Sequence, residues 1–175
     1  IRFYEMTKEV SHVGPGGMNM KTNTNIKLPL SFILYGLVAL VVGEWIMFFS
    51  GDRLLLGTFR VPDIWMAAHF LLLGFAVMIA MGSMYQLVPA AFSTPIWSES
   101  FGFVQLVVTA GGITLFSILL GMNPKYVLYG GIMAIGGILM FIVQMVMTIL
   151  QQKKKTIMTA FVLGALICFF LTIAA

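Results

Sequence analysis

Five apolar stretches, at 28–50, 64–91, 101–121, 127–150 and 156–175, fill most of the chain, each close to the length of about 20 residues that a helix needs to cross a bilayer. Where hydrocarbon replaces water, every backbone polar group must be satisfied within the structure, so an open-ended spanning segment has to be a helix. The expected fold is an all-α, polytopic membrane helix bundle with five transmembrane helices. Hydrophobic residues make up 60% of the 175 and charged residues 9%, a balance no soluble domain shows. Connections between stretches are short, which makes successive helices antiparallel neighbours in one bundle spanning 28–175. Residues 1–27 are polar and contain Gly14-Pro15-Gly16-Gly17 and His12. They read as an extramembrane arm, because a secretory signal needs a short apolar core after a charged start.

A net charge of +4 would suggest nucleic acid in a soluble protein. Here the basic residues lie in loops, where they report orientation, and no nucleic-acid role follows. Lys21 and Lys27 precede the first stretch and Lys153, Lys154 and Lys155 separate the last two, opposite Arg53, Arg60 and Lys125. This pattern places the amino terminus inside and the carboxyl terminus outside. Cys168, the one cysteine, lies in an apolar stretch, so neither a disulfide nor a thiolate metal cluster is expected.

Only one stretch contains a histidine. His69 lies in Ile64-Trp65-Met66-Ala67-Ala68-His69, five residues or roughly 8 Å inside the second stretch. An ionisable group at this depth is a functional candidate by default. At helical spacing its face continues through Leu72, Leu73, Ala76, Ala80, Ser83 and Leu87. Ala76, Ala80 and Ser83 are small enough to leave a trough in which a flat macrocycle could lie below an imidazole bound to iron. The same three residues would equally make a close helix contact, with His69 merely hydrogen-bonded inside the bundle. Trp65, one turn before His69, could edge a cofactor or anchor at the headgroups. Glu44, near the depth of His69 on the first stretch, could bond the imidazole, carry a proton, or pair with Arg53 or Arg60. Tyr85, Gln86, Gln105 and Gln144 are expected to join helices by hydrogen bonds. Glycine pairs at 111/112, 130/131 and 136/137 suit close helix approach, and the 14 methionines read as packing.

The chain has no second intramembrane histidine, no paired carboxylates, no Ser/His/Asp set and no Cys/His cluster. A catalytic metal centre generally takes about three protein ligands, so no catalytic residues are assigned and enzymatic readings start low. A twofold dimer would supply a second His69 and allow bis-histidine ligation.

The segment Ala68-His69-Phe70-Leu71-Leu72-Leu73-Gly74-Phe75, with Met81-Gly82-Ser83-Met84-Tyr85-Gln86-Leu87-Val88-Pro89 after it, resembles the second helix of heme-copper oxidase subunit I. It is more similar still to the short four-to-five-helix bacterial membrane proteins of that subunit I-like family. Those relatives show His-x-His-x-x-Leu-Leu-Gly-aromatic and then Gly-x-x-Tyr-(Gln/His)-x-x-Pro, and the resemblance covers about 28–155. It implies that His69 matches the low-spin heme ligand near the outer face of a bacterial cytoplasmic membrane. Ala67 stands where the pattern has its first histidine, and the later helices that carry copper, high-spin heme and the second low-spin ligand are absent from this sequence.

These readings lead to an expected heme b protein, coordinating the metal through His69, in a homodimer or a larger respiratory membrane complex. Its task would be electron transfer, heme handling or gas sensing, not oxygen reduction by itself. Two alternatives stand beside it: a structural or assembly subunit, and a small proton-coupled or quinone-binding subunit using Glu44 and His69.

Overall fold

A computed structural model describes residues 25–152 and 157–174. Among these, six helices and no strand occur: α1 Lys27–Phe49, α2 Gly51–Leu55, α3 Pro62–Phe92, α4 Glu99–Met122, α5 Val127–Leu150 and α6 Ile157–Ala174. Four of them, α1, α3, α4 and α5 with the turn Pro124–Tyr126 before it, are long and apolar enough to cross a membrane. The chain is an integral membrane helix bundle. His12 and Gly14 to Gly17, Lys21 and Lys153 to Lys155 lie outside the described residues.

The helix ends follow local chemistry. Val61 is extended ahead of Pro62, as the residue before a proline must be, and Pro62 occupies a first turn where its missing N–H costs nothing. Ser98 caps α4 by accepting from the Phe101 amide at 3.3 Å, which satisfies one of the amides a helix start leaves open. Ser93 ends α3 at φ 50°, a left-handed position more often taken by glycine.

Apolar side chains cover the outside of the bundle as well as filling its core, and a few polar ones are buried among them. Leu34, Val38, Val41 and Trp45 on α1 and Leu128, Ile132 and Leu139 on α5 are exposed, while Gln105, Thr109, Gln144 and Thr148 are fully buried. Lipid is as apolar as leucine, so spanning helices associate through close contact and hydrogen bonds. The seam between α4 and α5 shows both means. A Cβ on Gly112 would overlap the Ala134 backbone, and one on Gly137 would overlap Thr109. Across α3 and α4, Tyr85 Oη donates to Gln105 Oε1 at 3.0 Å, and Gln105 Nε2 donates to Thr109 Oγ1 at 2.8 Å. Tyr85 also stacks on Phe32 of α1 with ring centroids 5.2 Å apart. At the same end of the bundle Gln144 Nε2 donates to the Ser98 carbonyl at 2.7 Å, and the Trp97 amide donates to Thr148 Oγ1 at 3.2 Å. Tyr85, Gln105 and Gln144 therefore do join helices, whereas Gln86 is exposed.

One feature of α3 breaks the expected periodicity. Phe70–Val77 is a π-helical segment inside the otherwise regular helix. A π-turn closes i→i+5 and so takes an additional residue.

Candidate functional site

His69 is the last residue before the π-helical segment, seven positions after Pro62 and so about 10 Å of rise from the start of α3. Its Nδ1 lies 2.7 Å from the Trp65 carbonyl oxygen one turn back. A carbonyl can only accept, so Nδ1 carries the proton, and in the neutral ring Nε2 retains its lone pair. The same bond fixes the ring's orientation. An imidazole held through one nitrogen by a carbonyl, with the other free, is the arrangement found behind metal-bound histidines. Phe116 of α4 meets the ring edge-on, with centroids 5.1 Å apart and planes at 66°.

Half-buried His69 forms part of the wall of a groove of about 410 Å³. The α3 wall continues with Leu72, Leu73 and Val77, and Phe116 comes from α4. Gly131, Ala134, Ile135 and Ile138 of α5 and Phe169 of α6 complete the lining. Leu72 and Ile135 are exposed, at 64% and 42%, so the groove opens on the surface that faces lipid. Its volume falls within the range of about 300–1,000 Å³ typical of small-molecule sites, and the opening leaves room for a planar molecule to extend beyond it.

Three of the small residues expected below the imidazole lie elsewhere. Ala76 and Ala80 are exposed and Ser83 is half-buried, its hydroxyl donating to the Ile79 carbonyl at 2.8 Å, and none of them lines the groove. The π-helical segment is the reason: its additional residue delays the helix face after His69 by roughly 100°, so Val77 takes the place that regular spacing assigns to Ala76. The Trp65 side chain is 47% exposed and reaches the site only through its carbonyl. Glu44 is exposed on α1 and makes no hydrogen bond or ion pair among the described residues. Arg53 instead pairs with Asp63 at the start of α3, where an acid also suits the helix dipole.

Sequence reasoning missed Phe116, the α5 wall and Phe169. No local signal marks them, since each enters the site through helix pairing across the bundle. Gly74 inside an apolar run was the one visible hint of the π-segment, and a Cβ there would stand 2.7 Å from that of Ala39.

Nδ1 of His69 is held by the Trp65 carbonyl, and the other side chains lining the groove are hydrocarbon. No group of three or more His, Cys, Asp or Glu side chains able to hold a bare metal ion occurs among the described residues. Comparison with protein-family models, with curated proteins and with solved structures finds no match.

Proposed function

We propose that this integral membrane protein binds heme b, with Nε2 of His69 as an axial ligand, and works in electron transfer, heme handling or gas sensing. The observation that carries the reading is the pairing of a tautomer-fixed imidazole with an apolar groove at its edge. When bound, heme supplies one-electron and ligand-binding chemistry, tuned by axial ligand and surroundings. The protein's part is to hold His69 by the Trp65 carbonyl, to limit ring rotation with Phe116, and to keep water from the groove with α5 and α6. The charge pattern of the loops supports an amino terminus on the inner side and His69 in the outer leaflet.

The test is an absorption spectrum of the full chain purified in detergent and titrated with heme b. A Soret band that saturates near one heme per chain, and is lost in His69→Ala but not in His12→Ala, supports the proposal. Uptake that His69→Ala leaves unchanged refutes it.

A structural or assembly subunit is the second reading, favoured by the bond to Trp65 and the contact with Phe116, which together satisfy a histidine that binds nothing. In that case His69→Ala lowers thermal stability in protein that takes up no heme. A proton pair of Glu44 and His69 draws no support from the geometry, because Glu44 lies on the exposed face of α1.

A further inference from the structure

We infer that the lipid-facing side of α1 is an interface with a second copy of this chain, held in register by the two Glu44 carboxyls meeting across a twofold axis. Glu44 lies about 25 Å of helix rise beyond Lys27, the first residue of α1, short of the roughly 30 Å of hydrocarbon that a spanning helix crosses. The other acids among the described residues, Asp52, Asp63 and Glu99, stand in the first turns of helices, where open amides and the helix dipole favour them. Glu44 sits toward the carboxyl end of α1, where neither is at hand. It is exposed and has no partner among the described residues. Lipid offers a carboxyl nothing to bond, and ionisable groups at membrane depth generally face protein or water.

The residues around Glu44 carry the spacing of a helix seam. Leu30, Leu34, Leu37, Val41 and Phe48 are all exposed, and with Glu44 they recur at alternating intervals of four and three, the heptad pattern of a left-handed coiled coil. The other side of α1 is already taken, since Cβ atoms on Gly36 and Gly43 would meet Ile79 and Leu71 of α3. A neighbouring seam through Val38 and Trp45, also exposed, has the same spacing but no polar group. The need to cover the carboxyl selects between the two.

A second copy is the occupant this geometry specifies. Copies of one chain insert with the same orientation, so a twofold axis along the membrane normal sets α1 parallel to α1 with identical residues at identical depth. Facing carboxyls then complete each other, the one that carries a proton donating through its O–H and the other accepting. A single polar pair in an apolar seam also fixes register and the number of strands. An unrelated helix would have to bring its own donor to that depth. The inference is independent of the heme reading, because α1 contributes nothing to the lining of the His69 groove.

The experiment uses the full chain in a Cys168→Ser background, purified and reconstituted into phosphatidylcholine vesicles at a low protein-to-lipid ratio. Single cysteines along α1 are oxidised with copper phenanthroline. The inference expects covalent dimers from a cysteine at Leu37 or Val41 and far fewer from one at Val38 or Val42. Energy transfer between fluorescently labelled chains measures association directly. Glu44→Val should raise the dissociation constant roughly threefold to tenfold. Glu44→Gln, whose amide still donates and accepts, should stay within about twofold of the wild type. Chains that remain monomeric overturn the inference and mean that the carboxyl reaches the headgroups alone. Cross-linking that is strongest at Val38, or a dimer that Glu44→Val leaves unchanged, overturns it as well. The cysteine series keeps Glu44 in place, so it decides even if Glu44→Val does not fold.

Discussion

At the scale of single residues, the bundle depends on a few polar side chains for specific contacts and leaves others without partners. Tyr85 is fully buried between Phe32 and Phe141, and its hydroxyl is the donor to Gln105 Oε1. Tyr85→Phe keeps the ring contacts and strands that oxygen in hydrocarbon, so we expect a loss of about 1 kcal/mol in unfolding measurements in detergent, toward the low end for a buried group because the membrane-unfolded state finds partners too. An unchanged stability would mean that the Gln105 amide turns to bond elsewhere. Glu44 is the opposite case. With no partner among the described residues, Glu44→Gln should alter stability by less than about 0.5 kcal/mol and leave heme uptake unchanged, and a clear loss of either would restore its link to His69. That His69 is an ionisable group inside an apolar run was legible in the sequence, and an imidazole there is costly. Its state was not: the Trp65 carbonyl that fixes its tautomer is a backbone atom, and Phe116 lies 47 positions away in the chain.

At the scale of elements, the five expected stretches match the observed helices to within a few residues, because length, apolar content and proline or polar breaks are local properties. The π-helical segment was not legible, since a helix that is apolar on all sides has no clear face from which a slip in register could be read. This gives a contrast that can be measured. Deleting Leu72 removes one residue from Phe70–Val77 and lets α3 return to regular α-geometry while keeping the packing on both sides, so the protein should still fold and, on the heme reading proposed above, lose heme uptake. Deleting Val107 from the regular α4 would rotate all later residues by about 100° and should abolish folded protein, as judged by size exclusion and thermal melting. Equal tolerance of both deletions would remove the case for an inserted residue. Glycines that look alike in the sequence separate in the same way. Gly112→Val drives a side chain into the Ala134 backbone and should cost about 1–3 kcal/mol, while Gly136, with open space around it, should accept alanine and gain up to about 1 kcal/mol of helix propensity.

At the scale of the whole molecule, apolar residues cover the outside, the polar contacts lie within, and the site sits toward one end. The connections at 51–61 and 123–126 are at the His69 end, because α3 and α5 start there and α1 and α4 finish there. Leu55, Leu56 and Phe59 in the first of these are 89%, 79% and 63% exposed, next to Arg60, a combination suited to the headgroup region. The proposed orientation of this end rests on charge. In the sequence, Lys21, Lys27 and Lys153 to Lys155 outnumber Arg53, Arg60 and Lys125 in the opposite set of connections, and the proposed orientation keeps the heavier basic load inside. In a Cys168→Ser background, a cysteine at Thr58 should therefore react with a membrane-impermeant maleimide in intact cells, whereas one at Ser93, exposed at the other end of α3, should react only after the cells are opened. The reverse pattern would place His69 beneath the inner surface, where the groove would open to the inner leaflet and any redox partner would have to be cytoplasmic.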